Sequence, residues 1–235
     1  RIPASTLKII MDADDRLTKP PVTVEVLLEM CPVWLEIAVL HLREAEAQHE
    51  LVLRARDQGT NEDIGKALDG EFFAGMQAIV AGATAIDALY ATTKEKIVLP
   101  RALVRAWKKR KTARYRQVVE VLRRAFGVKQ KGVTNLRTVL QELYRFRDLA
   151  VHPSGAFSAP IPHPDIGSVT EWRFGAFGYR NARQLVRAAL AITKLLALQP
   201  TAHTSKEVRD LCNTLLAQLS PLYLLWEERY GALTD

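Results

Sequence analysis

Residues 72–91 constrain the fold more than any other part of the chain. They are dense in Ala, Gly, Ile and Val, and the run is nearly long enough to cross a bilayer. It nevertheless contains Gln77 and Asp87, follows Glu71 and leads into Lys94-Glu95-Lys96. A carboxylate deep in hydrocarbon is costly. The sequence therefore predicts a buried helix over 71–97 in a water-soluble bundle, with no membrane span. Ala74, Gly75, Ala78, Ala81, Gly82, Ala85 and Ala88 offer small surfaces on which other helices can pack closely.

The other segments read as those neighbours. Residues 1–21 look like an irregular arm ending at Pro20-Pro21, followed by a short helix over 23–29 that breaks near Pro32. Leu35, Val39 and Leu42 mark a long amphipathic helix over 33–56. Thr60 to Asp63 has the form of a capping box opening a further short helix. Pro100 interrupts the chain, and a basic stretch leads to a helix over 113–126 closed by Gly127. The next helix starts at Thr134 or Asn135 and ends at His152-Pro153. Residues 153–178 form the longest irregular stretch, with Pro153, Pro160, Pro162 and Pro164 and a short extended piece or hairpin over 168–177. Helices over 181–198 and 205–230 complete the chain, with Pro221 a candidate kink in the last. The expected class is all-α: an up-and-down helical bundle with extra N- and C-terminal helices and one long Pro/Gly-rich loop. Residues 1–32 form the arm and short helix, and 33–235 a single domain with its core at about 71–198.

Charge is concentrated in one place. The 235 residues carry a net +7, but 101–131 hold twelve Lys or Arg against one acid, Glu120. That segment is +11 and the remainder −4, the distribution a polyanion-binding surface requires. Arg105, Lys108, Lys109, Arg110, Lys111, Arg114 and Arg116 are the candidate phosphate contacts, with Trp107, Tyr115 and Phe126 interleaved. Phosphate contacts give affinity without sequence choice, and aromatic rings stack on unpaired bases. A solvated cationic surface remains the plain alternative.

Other chemistries find little support. Cys31 and Cys212 form no CxxC pair, so no disulfide framework or zinc motif follows and a reducing cytoplasm is expected. His41 and His49 stand eight apart rather than at the four-residue spacing of a helical zinc pair. His163, within Pro162-His163-Pro164-Asp165, reads as part of a rigid loop, and His203 stands apart. No phosphate loop, dinucleotide fingerprint or nucleophile elbow is present. No metal or cofactor is expected.

The helix ending at His152 carries the chemistry. Leu136, Val139, Leu140, Leu143 and Ala150 share one face, and Arg147 falls on it. A buried arginine needs a carboxylate, a phosphate or a cleft; Asp87 is one candidate partner. His152 lies 140° further round a straight helix by the usual rotation of about 100° per residue, but Pro153 ends the helix and frees the imidazole to turn back. Asp148, four residues before His152, is placed to neighbour it. Arg145 is either a second phosphate contact or a solvated side chain. An arginine fork neutralises phosphate charge, and a histidine exchanges protons near neutral pH.

Tyr144-Arg-Phe-Arg147-Asp148-Leu-Ala-Val-His152-Pro153, at the end of an amphipathic helix and preceded by a small-residue helix, resembles the Arg-x4–6-His signature of the HEPN superfamily. The resemblance spans about 71–198. It implies a metal-independent endoribonuclease in which a ribose 2′-OH attacks the adjacent phosphorus. His152 would act as acid or base and Arg147 would stabilise the phosphorane charge. It also implies a homodimer with the cleft between two copies, and a toxin or anti-phage role with a possible antitoxin or other regulatory protein as partner. Ser154 occupies the position of a tyrosine found in some toxin members, which removes control through that tyrosine. The residues leave open a non-catalytic HEPN-like module that binds RNA or a partner protein, and a DNA-associated regulator relying on the basic segment alone.

Overall fold

Only Gly59 and Thr60 separate α1 (Met30–Gln58) from α2 (Asn61–Glu95), and a link this short forces an antiparallel helical hairpin. The computed structural model describes residues 7–8, 25–26, 28–152, 159–201 and 204–234. Cross-pairs follow the antiparallel sense: Thr92 donates to Glu29, His49 meets Glu71, and Gly70 lies against Gln48. Around this hairpin stand α3 (Arg101–Arg110), α4 (Arg114–Phe126), α5 (Gln130–Val151), α6 (Trp172–Ala176), α7 (Tyr179–Leu198) and α8 (Lys206–Tyr230). The fold is an all-α helical bundle.

The central element is α2, packed against α1, α4, α5, α6 and α7. Ala78, Ile79, Ala83, Ala85 and Ile86 are fully enclosed. By length and composition this helix could cross a membrane; here it is the core helix of the bundle. Its acidic residues Glu71 and Asp87 are both hydrogen-bonded to side chains of other helices. Cys31 and Cys212 are buried free thiols, and burial pushes both up in pKa, so neither is a ready thiolate.

Several boundaries differ from the sequence expectation. The 60–63 capping box is present, with the Thr60 hydroxyl accepting from the Asp63 N–H and the Asp63 carboxylate accepting from the Thr60 N–H. It opens one uninterrupted helix of 35 residues rather than a short one. Gly65 and Gly70 do not break it, because packing on α1 outweighs their poor propensity. In place of a helix over 23–29, Glu25–Val26 pairs antiparallel with Leu7–Lys8. Pro32 lies in the first turn of α1, where the missing N–H would have had no intrahelical partner. The basic stretch contains α3, and α5 begins at Gln130, ahead of Thr134. Gly127 caps α4 in the left-handed conformation, as its position at the helix end predicts. Pro221 lies inside α8. The Pro20-Pro21 end of the arm, Pro153, Ser154 and His203 lie outside the described residues.

The long loop is tied down where it is described. Ile161–Pro162 (β3) pairs with Val169–Thr170 (β4), so the extended pairing starts earlier than expected and α6 takes the rest of 168–177. Arg180 ion-pairs with Asp165, the Asp165 N–H donates to His163 Nδ1 at 3.2 Å, and Arg56 donates to the Asp165 carbonyl at 3.1 Å. Phe177 is buried, with its ring edge-on to Phe72 and Phe146. His163 therefore belongs to a rigid, anchored loop.

Beneath that anchor is a buried polar pair that the sequence does not announce. His49 Nδ1 lies 3.1 Å from Glu71 Oε1, which also accepts the Tyr179 N–H at 2.7 Å. The bond to Glu71 holds the His49 imidazolium above its ordinary value of 6.5 against opposing burial, whereas burial pushes His163 down.

Two stability measurements test this packing. A Cβ at Gly75 would lie 1.9 Å from the Phe177 carbonyl oxygen. Gly75→Ala should therefore lower urea-unfolding stability by about 2–3 kcal/mol, since backbone cannot yield as a side chain would. The folded-state pKa of His49 is raised, so its contribution is full below the unfolded value and is lost as pH rises through the folded one. His163 has the opposite sign, losing its contribution as pH falls, but both proteins in the comparison retain it. The gap in melting temperature between wild type and His49→Gln should accordingly be larger near about pH 5.5 than near about pH 9.

Candidate functional site

The apolar stripe of α5 sets the site. Leu136, Leu140, Leu143 and Tyr144 are buried, and the stripe continues one turn on to Arg147, whose side chain is 22% exposed. Its burial thus fades at the rim of the bundle. There the guanidinium meets Asp87 of α2: Arg147 Nη1 donates to Asp87 Oδ2 at 2.7 Å. The candidate Asp87–Arg147 pair is formed.

Asp87 holds more than one cation. Its Oδ1 accepts Arg114 Nε at 2.8 Å and the Tyr144 hydroxyl at 2.7 Å. Both guanidinium groups also lie over aromatic rings, Arg147 over Tyr144 at 4.5 Å and Arg114 over Tyr90 at 4.0 Å. Burial and the Asp87 charge push the Tyr144 phenol well up, so it remains a proton donor to the carboxylate. Burial works against the Arg114 charge, yet the bond to Asp87 leaves that guanidinium held more firmly protonated than an ordinary arginine.

Asp148 has a different role from the one its spacing suggested. Its Oδ1 accepts both Arg147 Nε, at 3.1 Å, and Arg147 Nη2, at 2.8 Å. Among the described residues it makes no hydrogen bond to the His152 ring. Neighbouring side chains on α5 decide this, because the flat arginine edge reaches the carboxylate of the next residue. The Asp148 side chain is 54% exposed, so this ion pair is weak and exchangeable compared with the one to Asp87. Asp148 thus lies on the guanidinium edge that a phosphate would use.

His152 caps α5. Its N–H donates to the Asp148 carbonyl at 2.9 Å, and its φ of −127° and ψ of 64° take the chain out of the helix. The residue is exposed, and its ring has no side-chain partner among the described residues. The geometry brings Arg147, Asp148, Asp87, Arg114 and Tyr144 together and leaves His152 one turn beyond, facing solvent.

Arg145 is not part of the cluster. It pairs with Glu142 at 2.8 Å and lies over the Phe146 ring, because its helix position faces outward. Arg105, Lys108, Lys109, Arg110, Lys111 and Arg116 are exposed along α3 and the start of α4. Arg114, exposed like them, differs by pairing with Asp87, which joins the basic segment to the Arg147 site. Tyr144 was legible in principle, three residues before Arg147 on the same face. Arg114 carried no local signal, since only the packing of α4 on α2 brings it to Asp87. Among the described residues no three His, Cys, Asp or Glu side chains converge as metal ligands. No protein-family model, curated protein or solved structure matches this chain.

Asp87 accepts three charge-bearing or buried donors. Asp87→Asn preserves shape and removes the charge, so it should reduce stability by about 2 kcal/mol, a value that allows for partial exposure. An unchanged urea midpoint would show that the two arginines do not need this carboxylate.

Proposed function

We propose that this chain is a metal-independent endoribonuclease of the HEPN type, working as a homodimer on RNA in the cytoplasm. One observation carries the reading: Arg147 is anchored from behind by Asp87, its Nε/Nη2 edge is covered among the described residues by exposed Asp148 alone, and the exposed His152 stands one turn away. A phosphodiester can displace Asp148 from that edge while Asp87 keeps the guanidinium in place. Arg147 then stabilises the extra negative charge of the phosphorane.

The chemistry needs no group beyond protein and RNA. A base takes the proton of the 2′-OH as that oxygen attacks the adjacent phosphorus. The P–O5′ bond breaks, and an acid protonates the leaving oxygen. The products are a 2′,3′-cyclic phosphate and a 5′-hydroxyl. His152 suits either proton transfer, and two copies of the chain would bring two such histidines to one cleft. The +11 segment that Arg114 ties to the site supplies the attraction for the polyanion. A toxin or anti-phage role, restrained by an antitoxin or other regulatory protein, belongs to the same reading.

The second reading is a non-catalytic helical module of the same type that binds RNA or a protein. It is favoured by the double carboxylate grip on Arg147, which a purely structural ion pair would also show.

Incubation with mixed RNA in EDTA separates the two readings. Wild type should degrade the RNA to cyclic-phosphate ends, and Arg147→Ala and His152→Ala should each be slower by at least about 100-fold. Equal RNA loss in all three proteins, or none in wild type, rejects the nuclease. Salt-sensitive duplex DNA binding that survives both substitutions would point to the basic segment alone.

A further inference from the structure

The turn between α3 and α4 is built as a cleft. Trp107, Leu103, Ala106 and Tyr115 provide its apolar wall, and Arg110, Lys111 and Arg116 its charge, around a volume of about 500 Å³. It is a shallow groove open on one side, which suits one part of a larger polymer rather than an enclosed small molecule. Arg116 also lines a second concavity of about 320 Å³ between α4 and α5, together with Arg123, Arg137 and Glu120. Glu120 is held by Arg123 and Arg124, and the Arg123 bond foremost keeps it below the usual carboxylate range. The second concavity thus retains a net positive charge. An aromatic cleft and a cationic one meet at a single arginine.

The cleft is ordered before any ligand arrives. The Thr112 N–H donates to the Trp107 carbonyl at 3.0 Å, and Gln117 donates to the Thr112 carbonyl at 2.7 Å. Arg116 Nε donates to the Tyr115 hydroxyl at 3.1 Å. Lys111 makes the turn at φ 48°, and among the described residues no other non-glycine has positive φ. A glycine would adopt this conformation without the β-carbon penalty. A lysine there trades backbone ease for a charge at the mouth of the cleft.

We propose that this junction is a binding site for single-stranded RNA, taking one unpaired base against Trp107 and Tyr115 and the adjoining phosphate at Arg116. The assignment deepens the nuclease reading and rests on it for RNA as the polymer. A base has a flat face for the rings and a phosphate beside it for the arginine. A duplex keeps its bases stacked inside and offers only its backbone. A membrane would need the apolar side of α3 turned outward, but Leu103, Ala106 and Trp107 line the concave wall. The segment that forms the cleft also supplies Arg114 to Asp87, which links the cleft to the Arg147 cluster through the start of α4.

The test uses the full chain carrying His152→Ala, in EDTA, with a labelled mixed-sequence RNA oligomer as single strand and as duplex. Single strand should bind at least about 10-fold more tightly than duplex, and Trp107→Ala should weaken single-strand binding about 10-fold while leaving duplex binding unchanged. Trp107→Phe should restore most of the affinity. Arg116→Ala should reduce the salt slope by about 0.7. Lys111→Gly provides a variant that folds at least as well: its melting temperature should hold or rise while single-strand affinity falls. Equal binding of both RNA forms, or unchanged binding by Trp107→Ala and Lys111→Gly, overturns the site. Binding to phosphatidylserine vesicles that exceeds RNA binding overturns it in favour of a membrane surface. Cleavage by wild type without Trp107-dependent binding rejects the cleft alone; Trp107-dependent binding without cleavage rejects the nuclease alone.

Discussion

A carboxylate carried by the most enclosed helix of a bundle must be compensated, and much of the arrangement around α2 follows from how Asp87 meets that need. Asp87 is a quarter exposed, and leaving it without partners would cost about 1–3 kcal/mol. Arg114 from α4, Arg147 from α5 and the Tyr144 hydroxyl answer it from two other helices. The same carboxylate therefore ties α4 and α5 together at the rim of a core that their apolar residues already form. It also determines which edge of the Arg147 guanidinium is left to Asp148 and solvent. Packing and chemistry share one ion cluster, with a buried side that gives rigidity and an exposed side open to exchange.

A second constraint is closeness. Gly75 admits the Phe177 carbonyl where no side chain could stand. That contact seats the end of the 159–178 loop on α2, above the His49–Glu71 pair. The loop is long but firmly held where it is described, by Asp165, His163 and Phe177. Its rigidity comes from buried polar and aromatic contacts rather than from its prolines alone.

Much of this was readable in one dimension, for identifiable reasons. The helical class followed from periodicity, and the exceptional position of Arg147 followed from Leu136, Leu140 and Leu143 on the same face. The Thr60 cap was legible because its reciprocal bonds are local. Continuity through Gly65 and Gly70 was not, since tertiary packing outweighs propensity there. Arg114 looked like one more cation in a cationic run, because its partner is 27 residues away on another helix. Along its own helix His49 has His41 as a candidate neighbour, whereas its partner Glu71 lies across the hairpin. Spacing alone places Asp148 beside the histidine, but the adjacent guanidinium reaches it instead. Strand pairs of two residues, such as Leu7–Lys8 with Glu25–Val26, leave no periodic trace to read.

The unbroken length of α2 has a consequence for cooperativity. Glu71 and Asp87 are sixteen positions apart on it, about 24 Å along the axis and some 160° around it. The helix is a partition with one polar cluster on each side, separated by its alanines. Both clusters depend on the same rod for their register. Fraying of α2 itself, unlike a local opening of the loop, would therefore reach the loop anchor and the arginine cluster together.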